Sequence, residues 1–137
     1  MEYYILKEDI NIMCVTADSF PAGIVPAFQK IHQLLPGKRE TYGISRPDEN
    51  CTIIYKAGAE EETAGQAEKL QLEKFVLKKG DYISIDIPDF MKNIPAIGQA
   101  FEQLLADPRI DKEGACIEWY FNETDVKCMV RIIQSQI

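Results

Sequence analysis

The chain has a single histidine, no Cys-x-x-Cys pair, no cluster of lysine and arginine, and no long apolar run, and each absence removes a class of function. Phosphate binding needs clustered cations to displace counterions, and a net charge of -7 with a pI near 4.7 runs the other way, so nucleic acid is not expected as a direct partner. No apolar stretch approaches the length that spans a bilayer. The start, Met1-Glu-Tyr-Tyr-Ile, lacks the basic and then apolar order of a signal peptide, and the reading is a cytoplasmic protein with no membrane partner. Cys14, Cys51, Cys116 and Cys128 stand singly, a pattern of reduced thiols rather than a disulfide frame. His32 lies in a helical pattern with no cysteine or histidine at ligand spacing, which leaves neither a zinc site nor a Ser-His or Cys-His catalytic pair. No cofactor is implied.

What is present is a soluble globular balance, 46% hydrophobic and 27% charged over 137 residues, enough for one domain with a real core. Asn11 to Ala17 alternates as a strand. A helix near 22–35 follows, with Ile24, Phe28, Ile31 and Leu35 on one face and Pro36-Gly37 as its stop. Two short strands, Thr41 to Arg46 and Cys51 to Ala57, flank a Pro47-to-Asn50 turn. Gly58 to Gln71 is acidic, carries no period, and reads as a surface connection. From Leu72 the plan begins again: a strand ending at Ile87, a helix near 91–106 with Ile94, Ile97, Phe101 and Leu104 on one face, and two more strands.

Residue identities support a duplication. Phe20 matches Phe90, Ile24 matches Ile94, and Gln33-Leu34-Leu35 matches Gln103-Leu104-Leu105, all 70 positions apart, while the closing hairpins fit a displacement of 75. The expected fold is therefore α+β: one domain over 1–137, with two repeats at about 8–57 and 72–135. Each repeat is a strand-helix-strand-strand unit. The two form a pseudo-two-fold antiparallel sheet with helices on one side and a concave ligand face on the other.

The strand Gly114 to Asn122 carries a carboxylate between apolar neighbours. Alternation sets Ala115, Ile117, Trp119 and Phe121 toward the helices, with Trp119 packing in the core or stacking on a ligand, and Cys116, Glu118 and Tyr120 on the other face. If Phe121 pairs with Val126, Glu118 faces Met129 and Tyr120 faces Lys127, and the open face also carries Arg131. Tyr82, Ser84 and Asp86 share one side of the central strand and line the same cavity, or form a polar solvent face. Gly43 is the counterpart of Glu118 in the repeat. A glycine there leaves volume in front of the charge for a ligand, or marks a strand bulge. Glu118 itself is either a desolvated carboxylate that recruits a cation, helped by the rings of Tyr120 or Tyr82, or a solvated glutamate paired with Arg131 or Lys127.

Three motifs in order resemble those of the GyrI-like small-molecule-binding domains, the effector-binding domains of bacterial transcription activators. Ile54-Tyr55-Lys56-Ala57-Gly58 is similar to that family's tyrosine strand ending in Ala-Gly, Gly80-Asp81-Tyr82 to its Gly-x-Tyr strand start, and Glu118-Trp119-Tyr120 to its Glu-x-Tyr strand. The resemblance spans nearly the whole chain. It implies a pseudo-two-fold domain with a ligand pocket between its halves, in which an acidic residue, here Glu118, pairs with lipophilic cations. Two departures stand out: Ile85-Asp86-Ile87-Pro88-Asp89 replaces the histidine and glycine of many relatives, and the domain begins almost at Met1 without a DNA-binding segment. With the second departure, the expectation is a stand-alone binding or sensing domain that takes a small organic ligand, cationic where Glu118 takes part, and either acts through a regulator protein or sequesters or transforms the ligand itself. Its expected ligand-binding residues are Glu118, Tyr120, Tyr82, Ser84, Met129 and Gly43. Two other classes stay open: a hydrolase of small strained or toxic compounds with Glu118 as acid or base, and a protein-interaction module that docks a partner on its open sheet.

Overall fold

A computed structural model describes residues 1–133. The chain runs β1 (Glu2–Leu6), β2 (Ile10–Thr16), α1 (Ile24–Leu34), β3 (Thr41–Pro47), β4 (Ile53–Glu60), α2 (Gln66–Lys69), β5 (Glu73–Leu77), β6 (Gly80–Ile87), one 3-10 turn (Phe90–Lys92), α3 (Pro95–Leu105), β7 (Cys116–Tyr120) and β8 (Val126–Arg131). All eight strands join one antiparallel sheet in the order β1-β6-β8-β7-β3-β4-β2-β5. The α+β class and the duplicated plan are as expected, although the last positions assigned to the second repeat, 134–135, lie outside the described residues.

The duplication can be read in the strand register. At the centre of the sheet Gly43 of β3 pairs with Glu118 of β7, and these two are also counterparts 75 positions apart, so the pseudo-two-fold axis passes through that pair. Each repeat has one strand more than the sequence pattern suggested. β1 and β5 were absent from the expected plan, and they are exchanged: β1 pairs with β6 of the second half, and β5 pairs with β2 of the first. The stretch from Leu72 is accordingly two strands, turned at Lys78-Lys79. The acidic connection is also more ordered than its composition implied, since β4 runs on to Glu60 and α2 buries Ala67.

The helices cover one side. α1 packs on β2 and β4, and α3 on β6 and β8. Pro26 sits in the first turn of α1 and Pro95 opens α3, positions where a missing N–H breaks no intrahelical bond. Gly37, at φ +101, takes the left-handed backbone that follows the helix end. Ala27, Ile31 and Leu35 are buried under α1, and Ala100 and Leu104 under α3, each large side chain contributing about 1.5–3 kcal/mol. No helix of the described residues is long and apolar enough to cross a membrane.

On the side away from the helices the sheet curls until residues of distant strands meet. Leu6, Ile12, Tyr42, Ile44, Leu77, Tyr82, Ile117 and Met129 form one cluster there. The concave face is therefore largely filled by the protein's own core.

Candidate ligand groove

Because α1 and α3 stand over the outer strands, the helix-side surface of the central pair β3 and β7 lies between them. Cys116, Glu118 and Tyr120 point to this side: Tyr120 packs with the α3 cluster and meets Phe28 of α1 at 5.8 Å between ring centres. Trp119 lies on the opposite side, edge-on to Tyr4 and stacked with Tyr42, so the expected assignment of β7's two faces is reversed.

The reason is a one-residue difference in the β7–β8 hairpin. Glu118 pairs with Cys128 rather than Met129, and Trp119 with Lys127. Asn122 caps the loop by accepting the N–H of Thr124 at 2.8 Å and of Asp125 at 2.7 Å through Oδ1, which fits a five-residue loop instead of the four that a Phe121–Val126 pair would need. A slip of one residue moves a strand's side chains to the other face relative to its partner. The six expected site residues consequently divide. Glu118, Tyr120 and Gly43 come together under the helices, whereas Tyr82, Ser84 and Met129 lie on the concave side. There Tyr82 donates to the Lys78 carbonyl, Met129 is fully enclosed, and the buried Ser84 Oγ has no partner among the described residues.

Glu118 is the chemical centre of this helix-side surface. Tyr55 of β4 donates its hydroxyl to Glu118 Oε1 at 3.0 Å, and Tyr120 donates to the same oxygen. Oε2 accepts no hydrogen bond from the described residues. Neither cation considered as its partner is available, since Lys127 Nζ bonds Asp86 at 2.7 Å and Arg131 lies 3.8 Å from Asp111. Burial pushes the Glu118 carboxyl up from its usual range, and the bonds from Tyr120 and Tyr55 offset that only in part. Both phenols are held on their protons, first by burial and then by the adjacent carboxylate. Burial raises the thiols of Cys116 to about 11 and Cys128 to about 12, so neither is a nucleophile at neutral pH.

Gly43 has a definite role in this geometry. A Cβ on it would stand 2.0 Å from the Tyr55 hydroxyl and 2.9 Å from Glu118 Oε1. The space opposite the charge is thus taken by a phenol and not left open. Aromatic rings gather around the two tyrosines that hold the carboxylate: Phe20 stacks on Tyr55 at 6.0 Å, Phe28 is edge-on to both tyrosines, and Phe90 meets Tyr120 at 5.0 Å. Tyr55, Phe28, Phe20 and Phe90 were not among the expected site residues. Their signal was present, because Phe20 and Phe90 are a repeat pair, Phe28 belongs to the apolar face of α1, and Tyr55 stands in the Ala-Gly strand motif.

The architecture defines a class before it defines a relative: a duplicated, curled antiparallel sheet with a helix over each half. Among solved structures this fold is shared with an integron cassette protein, VCH_CASS2, from the mobile metagenome of Vibrio cholerae, 13% identical, with a TM-score of 0.64 over 96% of this chain and 95% of that one. It is also shared with SAV2435, solved bound to tetraphenylphosphonium, 12% identical, with a TM-score of 0.63 over 96% and 94% of the two chains. No protein-family model matches the chain, and no curated protein does. At these identities the likeness is one of fold.

Proposed function

We propose that this chain is a small-molecule-binding domain of the GyrI-like kind, and that it takes lipophilic organic cations into the groove between α1 and α3 with Glu118 as the counter-charge. The observation that carries the reading is a half-buried carboxylate that has two phenol donors and, among the described residues, one oxygen without a hydrogen bond and no cation beside it. Holding such a group out of water is unfavourable, and an entering cation relieves it. The surrounding rings of Tyr55, Tyr120, Phe28, Phe20 and Phe90 offer apolar area and π faces suited to a bulky cation. Phe20 and Phe90 come from the segments leading into α1 and α3, so turning them outward opens the groove without disturbing the helix cores. That a protein of the same fold was solved with tetraphenylphosphonium supports the ligand class. On this reading the chain serves transcription control as the effector domain of a regulator.

One observation favours a second reading: a carboxyl that keeps its proton to raised pH beside two phenols is also the equipment of a general acid. On that reading small strained compounds are opened in the same groove.

Titration of isotope-labelled protein with tetraphenylphosphonium, followed by backbone NMR, tests the proposal. The expected shifts cluster at Gly43, Phe28, Tyr55, Glu118 and Tyr120, with the ligand recovered unchanged. Shifts confined to Tyr82 and Met129, or none, would overturn it. Consumption of a strained cyclopropyl ester, lost in Glu118→Gln, would instead favour the acid.

A further inference from the structure

The concave side is not filled to its ends. At one end lies a pocket of about 190 Å³, with the half-buried Phe75 as its accessible apolar wall over a floor of buried Leu77, Tyr82 and Ile117, and with Arg46, Lys78 and Arg131 along its rim. The volume is below the roughly 300 Å³ at which drug-sized ligand sites begin, which suits a small molecule. The charges at its mouth are uneven, three cations against two carboxylates, Asp111 and Glu113. Arg131 is already engaged: it lies across Gly80, donates to the Lys79 carbonyl at 3.2 Å and sits 3.8 Å from Asp111, while its Nε has no partner among the described residues. Arg46 and Lys78 enter no ion pair among the described residues.

The other end of the molecule provides an internal control. Through the pseudo-two-fold the counterpart of this mouth is a hollow lined by Lys38, Arg39, Glu40, Tyr42, Glu60 and Glu62. Glu60 pairs with Ile12 there as Arg131 pairs with Tyr82 here. That mouth carries two cations against three carboxylates, and Arg39 is bound to Glu62 at 2.6 Å. The same backbone frame thus has an acidic end and a basic end, so the basic character belongs to these side chains and not to the fold.

We infer that the basic pocket is a second ligand site, separate from the Glu118 groove, and that it takes a small organic monocarboxylate with an aromatic or branched aliphatic body. The apolar walls receive the body. Arg46 and Lys78 meet the carboxylate at the mouth, and Arg131 completes the positive rim. Phosphate and other dianions are disfavoured by Asp111 and Glu113, and an organic cation finds no unpaired buried carboxylate there.

Benzoate and its neutral isostere benzamide, titrated into the whole chain under NMR observation, test the inference. Benzoate should shift Phe75, Leu77 and Tyr82, and benzamide should bind roughly fivefold more weakly or worse, the effect of one partly exposed ion pair. Arg46→Gln with Lys78→Gln, both exposed and outside the core, should abolish that preference, while Glu118→Gln leaves it unchanged. The inference fails if the two probes bind alike, if benzoate shifts only the Glu118 groove, if inorganic phosphate binds as well as benzoate, or if no probe binds.

Discussion

Glu118 and Gly43 show how single residues constrain one another. The folded chain holds the Glu118 proton to higher pH than the unfolded chain, whose carboxyl titrates near about 4.3. The stabilisation from this proton is complete below that value and is lost as pH rises through the raised one. Glu118→Gln, which keeps the shape and cannot ionise, should therefore melt higher than wild type at pH 7 and nearly with it at pH 4; thermal melts across that range check the sign. Gly43→Ala acts in the opposite direction. Its Cβ must displace the Tyr55 ring, which Phe20 and Phe28 hold in place, so a loss of about 1–3 kcal/mol is expected in urea denaturation. Adding Tyr55→Phe should recover part of the loss by removing the crowding oxygen. That Gly43 stands opposite Glu118 was legible from the repeat alone. That a phenol from β4 fills the space was not, because a cross-strand neighbour on the same face depends on a register that sequence does not display.

At the scale of elements, what carried a strong period was readable and what depended on a turn was not. The apolar faces of α1 and α3 were visible in the spacing of Ile31, Leu35 and Leu104, all of them buried. Ile94, assigned to the same face, is 50% exposed because α3 begins at Pro95. Leu104→Ala should therefore cost about 2–5 kcal/mol and Ile94→Ala about 0.5 kcal/mol or less, a contrast that paired urea curves resolve. The face of Glu118 turned on whether the hairpin loop holds four residues or five, and Asn122 settles that through its side-chain bonds. β1 and β5 were missed although they repeat, Glu2-Tyr3-Tyr4-Ile5-Leu6 and Glu73-Lys74-Phe75-Val76-Leu77 lying 71 positions apart. Each is a short edge strand, half exposed, and five residues give alternation little to work with.

For the whole molecule, exchange of β1 and β5 ties the halves together at both edges, beyond their joint along β3 and β7. A chain cut within 61–65 should stay associated and melt in one transition, and size-exclusion chromatography of the nicked protein would show two separate fragments if that is wrong. The same two-fold sets Glu118 on the axis, where one charge faces rings from both halves, and this is the centre of the functional account. Calorimetric titration of tetraphenylphosphonium and neutral triphenylphosphine oxide into wild type and Glu118→Gln tests it most directly. Tighter binding of the cation to wild type is expected, with a loss of about 2 kcal/mol, roughly thirtyfold, in the variant and little change for the neutral compound. Equal affinities for the two compounds, or a cation preference that survives Glu118→Gln, would contradict it.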